Sequence, residues 1–297
     1  MPQACEKRLE TVNPAEIAVR YSKHKGQIDT LLVAGIDCEP VLVSYSQSSS
    51  PVLLVCEHAG REIPQKLKGL GLSDRERGLH IAYDIGAGKV ADLLSQRLDC
   101  TLVQQRYSRL VIDCNRPLGS AGSIPEISDF TEILANSNIV EEQRQARERA
   151  IFDPFAEQCR LQISQPHILF AFSVHSFTPV MSGIKRPWDI GFLYRDQSSL
   201  GDQLVASAQV LWPDLTVAGN QPYQIEDSAD WFIPNCAEPK AVPHSLIEIR
   251  NDHLLTEAGC EEWAERLFDL LAKFMEDTNG SNPQRSAGPG EIGTFIY

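Results

Sequence analysis

From Pro51 onward, short apolar runs alternate with stretches in which apolar residues recur every three or four positions. The runs at 51–56, 101–114, 167–174, 189–194, 214–218 and 245–250 have the length and the polar boundaries of buried strands; the second is long enough for two strands broken around Gln104–Tyr107. Between them, residues 84–98 place Val90, Leu93, Leu94 and Leu98 on one helical stripe. Residues 138–163 read as a longer helix that Asn138 and Glu141 can open as a capping box, and 256–276 as a third helix with Thr256 as its cap. Strands alternating with helices predict an α/β domain over 51–277, its sheet mostly parallel or mixed and covered by helices on both faces. Residues 1–50 are more weakly patterned and are expected to form an N-terminal extension. Within it, 30–46 reads as a strand or hairpin and 46–50 as a Ser-rich linker. Residues 278–297, rich in Gly, Pro, Ser and Asn, are expected to be a flexible tail.

The composition narrows the class. With 42% hydrophobic and 23% charged residues in a chain of 297, a substantial globular core is expected. A formal net charge of −13 argues against nucleic acid or an anionic membrane as the main partner, since each demands a cationic face. The eight cysteines form no CxxC pair, and Cys56 and Cys114 sit in apolar runs, the usage of buried free thiols in a reducing compartment. The first residues lack an apolar signal core, and no run is long enough to span a bilayer. The expectation is a cytoplasmic protein acting on a small molecule.

Ligand sites in open α/β sheets gather beyond the carboxyl ends of the strands. There the apolar run 51–56 delivers Glu57 and His58, and the run 167–174 delivers His175. Either histidine alone is more often structural, but two at the ends of separate buried strands point to a shared site, and a metal site needs a third ligand. Asp84, ahead of the first helix, is the leading candidate, with an N-cap role as its alternative. Glu57 is the weaker one, because strand alternation turns it away from His58. His80 is a bystander or a supporting group. In 107–117, Arg109, Asp113, Asn115 and Arg116 bracket an apolar stretch; they form either a salt-bridged strand end or a clamp for a substrate carboxylate. Glu248 interrupts the apolar run 245–250, with Arg250 expected on the same face. It is either an ion-pair partner of Arg250 or a general base whose pKa burial raises. The Ser173 and Ser176 hydroxyls flank His175 without making a triad, and there is no phosphate-binding GxxxxGK[ST] loop, GxSxG elbow or HExxH motif.

As a set, "PVLLVCEHAGREIP", "HIAYDIGA", "YSRLVIDCNRP", "SVHSFTP" and "HSLIEIRND" resemble the N-formylglutamate amidohydrolase family, whose fold is similar to the zinc-dependent exopeptidases. The resemblance implies hydrolysis of an N-acyl amide on an amino acid, such as N-formylglutamate. It implies one zinc ion per chain on His58, Asp84 and His175, and Glu248 as the base. Arg109 and Arg116 would be catalytic and would bind substrate together with Asn115, Ser176 and Arg250. The histidine-degrading members carry a proline where this chain has Glu57, so the resemblance is to a divergent branch. Two alternatives keep the fold: the same metal chemistry on another acyl amino acid or peptide end, and an inactive small-molecule-binding homologue.

Overall fold

Seven strands form one sheet in the computed structural model, which describes residues 31–195 and 199–280. They are β1 (Val41–Ser44), β2 (Val52–Cys56), β3 (Thr101–Gln105), β4 (Phe170–Phe177), β5 (Ile190–Leu193), β6 (Val217–Gly219) and β7 (His244–Arg250), in the spatial order β1-β3-β2-β4-β7-β5-β6. The central strands β3, β2, β4 and β7 are parallel to one another; β1 pairs antiparallel with β3, and β5 antiparallel with β7. The sheet is therefore mixed and mostly parallel, as the alternation of patterns predicts. Carboxyl ends of four adjacent strands then lie along one edge. Residues 1–30 and 281–297 lie outside the described residues, while the first three residues of the expected tail, 278–280, continue the last helix.

Alternation along the strands sorts the core into two layers. Leu54 and Cys56 of β2, Phe172 and Val174 of β4, and Ile247 and Ile249 of β7 pack on one face against α1 (Ala87–Leu98) and the helices α4 (Ser199–Leu211) and α5 (Glu257–Gly280). The opposite residues, Leu53, Val55, Ala171 and Leu246, pack against α3 (Asp153–Ile163) and the segment 107–114. Leu54, Leu94 and Leu267 are fully buried, each contributing about 1.5–3 kcal/mol by removal from water. Among the described residues no helix is long and apolar enough to cross a membrane.

Several boundaries differ from the sequence expectation, each for a local reason. Only the first half of 101–114 is strand. Beyond Gln105 the chain breaks into turns, where the Ser108 hydroxyl accepts the nearby Leu110 N–H at 3.2 Å and donates to the distant Ala82 carbonyl at 2.7 Å. The long central helix starts later than Asn138, which adopts φ 57°. It opens with α2 (Glu141–Arg147), where the Gln143 side chain accepts the Val140 N–H at 3.2 Å. A wide turn at Glu148–Phe152 then joins α2 to α3 just ahead of Pro154, which has no N–H to donate to a regular helical ladder. Thr256 caps α5 as expected, its hydroxyl accepting the Gly259 N–H at 3.1 Å. Strand β1 falls inside the expected N-terminal extension, so the sheet begins ahead of residue 50.

Candidate active site and metal centre

The parallel register places Glu248 of β7 directly across from His175 of β4, and Ser173 across from Val55 of β2. Ser173, His175 and Glu248 therefore share the sheet face of Ala171 and Leu246, and Glu57, two residues past Val55, joins them. His175 lies within its strand, two residues before the end, rather than after it. His58 reaches the same face because the chain turns immediately after Glu57. Gly60 passes against the Arg106 carbonyl there, so closely that a side chain at this position would collide with backbone.

The two imidazoles meet edge to face, ring centres 4.8 Å apart, on either side of one carboxylate. His58 Nδ1 is 3.4 Å and His175 Nδ1 2.8 Å from Asp84 Oδ2. Each ring turns its other nitrogen to a further buried carboxylate: His58 Nε2 lies 2.7 Å from Asp113, and His175 Nε2 lies 3.0 Å from Glu57 and 2.8 Å from the Ser173 hydroxyl. A histidine that ligates a metal through one nitrogen and donates its other N–H to a carboxylate has this arrangement. One ligand atom from each of His58, Asp84 and His175 lies within 4.8 Å of the others, and all three residues are buried. Two imidazole nitrogens and a carboxylate oxygen, open toward a cleft, suit a catalytic divalent ion such as zinc.

Asp84 thus belongs to the site and not to a helix cap; the position before α1 is Gly86, with φ 79°. Glu57, expected to point away, supports His175 instead, because it is His58 that leaves the strand path. The charges are strongly coupled. Burial opposes ionisation of Asp84, but the two histidines hold it well below the usual carboxylate range. Burial likewise opposes a charge on His175, yet Glu57 and Asp84 raise its proton affinity. Asp113 is held low against burial, chiefly by Arg109 and His58.

Arg109 and Asp113 do pair, at 2.7 Å, although through a turn and not along a strand face. The Arg109 guanidinium also reaches Asp84 at 3.2 Å, so its fork is filled by two carboxylates of the site. Arg116 donates to the Ala229 carbonyl and lies 3.9 Å from Asp113, still lining the cleft. Asn115 is used structurally: its oxygen takes the Trp231 and Phe232 N–H groups, and its amide donates to Asp230 at 3.1 Å. Ser176 positions the ligand region, its hydroxyl donating to the Ile85 carbonyl at 2.8 Å and its N–H to Asp84 at 3.3 Å. His80 pairs with Asp129 at 3.1 Å on the cleft wall.

Arg250 departs from the expectation. It does not line the cleft and makes no ion pair with Glu248. Asp189, at the start of the neighbouring antiparallel strand, takes it at 2.9 Å, and Asp252 at 2.8 Å. Glu248 is left with a buried oxygen, Oε2, that has no hydrogen-bond partner among the described residues. Burial, with Asp84 adding repulsion, pushes its pKa up to about 8, against partial relief from His175, Arg109 and Arg186. It faces a cleft of about 340 Å³ that also exposes His58, Asp84, Arg116, His175 and Tyr223. Tyr223 carried no periodic or motif signal in the sequence. Arg186 stood only within the stretch "RPWDIGFLYRD", with nothing to mark it as lying near the site.

Residues 50–255 match the model of the N-formylglutamate amidohydrolase family, and the chain belongs to that family. A crystal structure of a gene product from Agrobacterium tumefaciens is similar at 36% identity and TM-score 0.79, covering 84% of this chain and 99% of that one. The N-formylglutamate amidohydrolase from Ralstonia eutropha JMP134 shares the fold at TM-score 0.58 and 16% identity, covering 82% of this chain and all of that one. No curated protein matches the chain.

Proposed function

We propose that this member of the N-formylglutamate amidohydrolase family is a zinc-dependent hydrolase that cleaves the N-acyl bond of a small acyl amino acid, with N-formylglutamate as the leading substrate. One observation carries the reading: Glu248, with a buried and unpartnered carboxylate oxygen, lines the cleft onto which two carboxylate-backed histidines and Asp84 converge. His58, Asp84 and His175 would hold the ion. When bound, it supplies a Lewis acid for the amide carbonyl and acidifies the attacking water.

The chain's own groups do the rest. Glu248 accepts a proton from water as the water attacks the acyl carbon, then delivers a proton to the amine as the C–N bond breaks, leaving a carboxylic acid and a free amino acid. Burial raises its pKa above the ordinary carboxylate value in the metal-free protein, the direction a group that must both take and give up a proton requires. Arg116, at the cleft wall, would stabilise the developing oxyanion. Arg109 fixes Asp84 and Asp113 against each other, and Glu57 and Asp113 fix the two imidazoles. Ordering these groups in advance removes reorganisation from the barrier.

A second reading keeps this chemistry and changes the acyl amino acid. What supports it is Glu57, which sits directly on His175 and so alters the surroundings of the site relative to members with proline there. Both readings are tested by following amine release from a panel of N-formyl and N-acetyl amino acids with the metal-loaded protein. Turnover of N-formylglutamate above the rest supports the first. Preference for another acyl amino acid supports the second, and no turnover of any member rejects both.

A further inference from the structure

The cleft is rich in acid. Asp84, Asp113, Asp129, Asp230 and Glu248 line it, and its cations are largely spent on them or on carbonyls. Arg109 is forked between Asp84 and Asp113, and Arg116 is held by Ala229 and Asp113. Arg186, which is not itself part of the lining but contacts lining residues, differs: among the described residues no ion pair joins it to a carboxylate. It follows the ribbon Val180–Lys185, its backbone fixed by a 2.8 Å bond from its N–H to the Pro179 carbonyl. Its guanidinium stacks 4.9 Å from the Tyr223 ring centre and 5.9 Å from that of Phe177. It donates to the Tyr223 hydroxyl at 2.8 Å and contacts the Met181 sulfur at 2.7 Å. Phe177, Met181 and Tyr223 all line the cleft.

Neutral groups thus hold this guanidinium in place without neutralising it. Stacking on aromatic faces orients the planar fork and strips some of its water, which strengthens any later contact with an anion.

We propose that Arg186 anchors a carboxylate of the substrate, so that this chain selects N-acyl amino acids presenting a free carboxylate on the side of the cleft formed by Phe177, Met181 and Tyr223. This rests on the amidohydrolase reading of the site. It makes Arg186 a specificity residue, separate from the oxyanion role given to Arg116.

The test uses the full chain with its metal and the variants Arg186→Gln and Arg186→Lys. Steady-state kinetics are measured on N-formylglutamate, N-formylglutamine and the α-amide of N-formylglutamate. Losing a charge-assisted contact should raise KM for N-formylglutamate roughly 10- to 100-fold in Arg186→Gln, with kcat changed less. Arg186→Lys should fall between, since it keeps charge without the fork. The penalty should largely disappear on whichever amide removes the anchored carboxylate. An equal penalty on all substrates, or none on any, overturns the proposal. Should Arg186→Gln fail to fold, by melting temperature and metal content, the same comparison is read from Arg186→Lys. Should the wild-type protein hydrolyse no N-acyl amino acid, the amidohydrolase reading falls, and calorimetric binding of glutarate decides the fate of Arg186. Weaker glutarate binding in the variant retains the anion anchor, and unchanged binding removes it.

Discussion

Replacing Glu248 by glutamine should move activity and stability in opposite directions. The carboxyl is 6% exposed, one of its oxygens has no partner among the described residues, and its pKa stands near 8. In the unfolded chain a glutamate titrates near about 4.3. A carboxyl raised on folding lowers stability as pH climbs from the unfolded value toward the folded one, because the unfolded state ionises first. Between about 4.3 and 7 that linkage amounts to about 4 kcal/mol in the metal-free protein, an upper bound since buried glutamine also needs partners. With about 1–3 kcal/mol charged against the unsatisfied amide, metal-free Glu248→Gln should be about 1–3 kcal/mol more stable than wild type at pH 7. That gain should shrink toward pH 5. Turnover of the metal-loaded variant should fall about 10²–10⁴-fold, the usual contribution of a general base. Urea unfolding at several pH values after chelation gives the first quantity, and amine release at saturating substrate the second. A variant with wild-type turnover ends the general-base assignment. One that loses both activity and stability makes Glu248 a structural strut.

Two further substitutions probe the supports. Asp113→Asn removes the carboxylate behind His58, so metal affinity measured by competition with a chelating dye should drop about 10- to 100-fold while the fold persists; unchanged affinity would show that Asp113 does not tune the site. Asp189→Asn, distant from the ligands, breaks the pair with Arg250 and the 2.8 Å bond to His253. Burial opposes its charge, but the Thr216 N–H, His253 and Arg250 hold Asp189 below the ordinary value, so its contribution is present above about pH 4 and lost as pH falls below it. The variant should lose about 1–2 kcal/mol at pH 7 and progressively less as the pH falls below about 4, measured by denaturant unfolding; a loss that does not change with pH would mean that the charge is immaterial.

The strand rhythm and the helix stripes made the fold legible, because a sheet buried on both faces writes itself as apolar runs. His58, Asp84, His175 and Glu248 were legible for a related reason: each is a polar residue at or near the end of such a run, or just before the helix that follows one. What stayed hidden depends on chain path. Glu57 follows the direction of β2 and His58 departs from it, which no alternation rule states. Asp113 emerges from turns in which the Ser108 hydroxyl takes part, not from the second strand that 107–114 seemed to promise. Arg250 was assigned to the site by its parity with Glu248. Its partner is settled instead by the antiparallel neighbour that delivers Asp189. Arg186 and Tyr223 are 37 residues apart and meet only in the folded chain.

The metal centre is tested most directly by counting zinc. The protein is stripped with a chelator, reloaded with a slight excess of zinc, desalted and analysed by elemental mass spectrometry, alongside His175→Ala treated identically. The expected result is one zinc per wild-type chain and far less than one in the variant, with both showing a cooperative thermal transition. A folded His175→Ala that retains a full equivalent of zinc, or a folded wild-type chain that takes up none, contradicts a metal held by His58, Asp84 and His175.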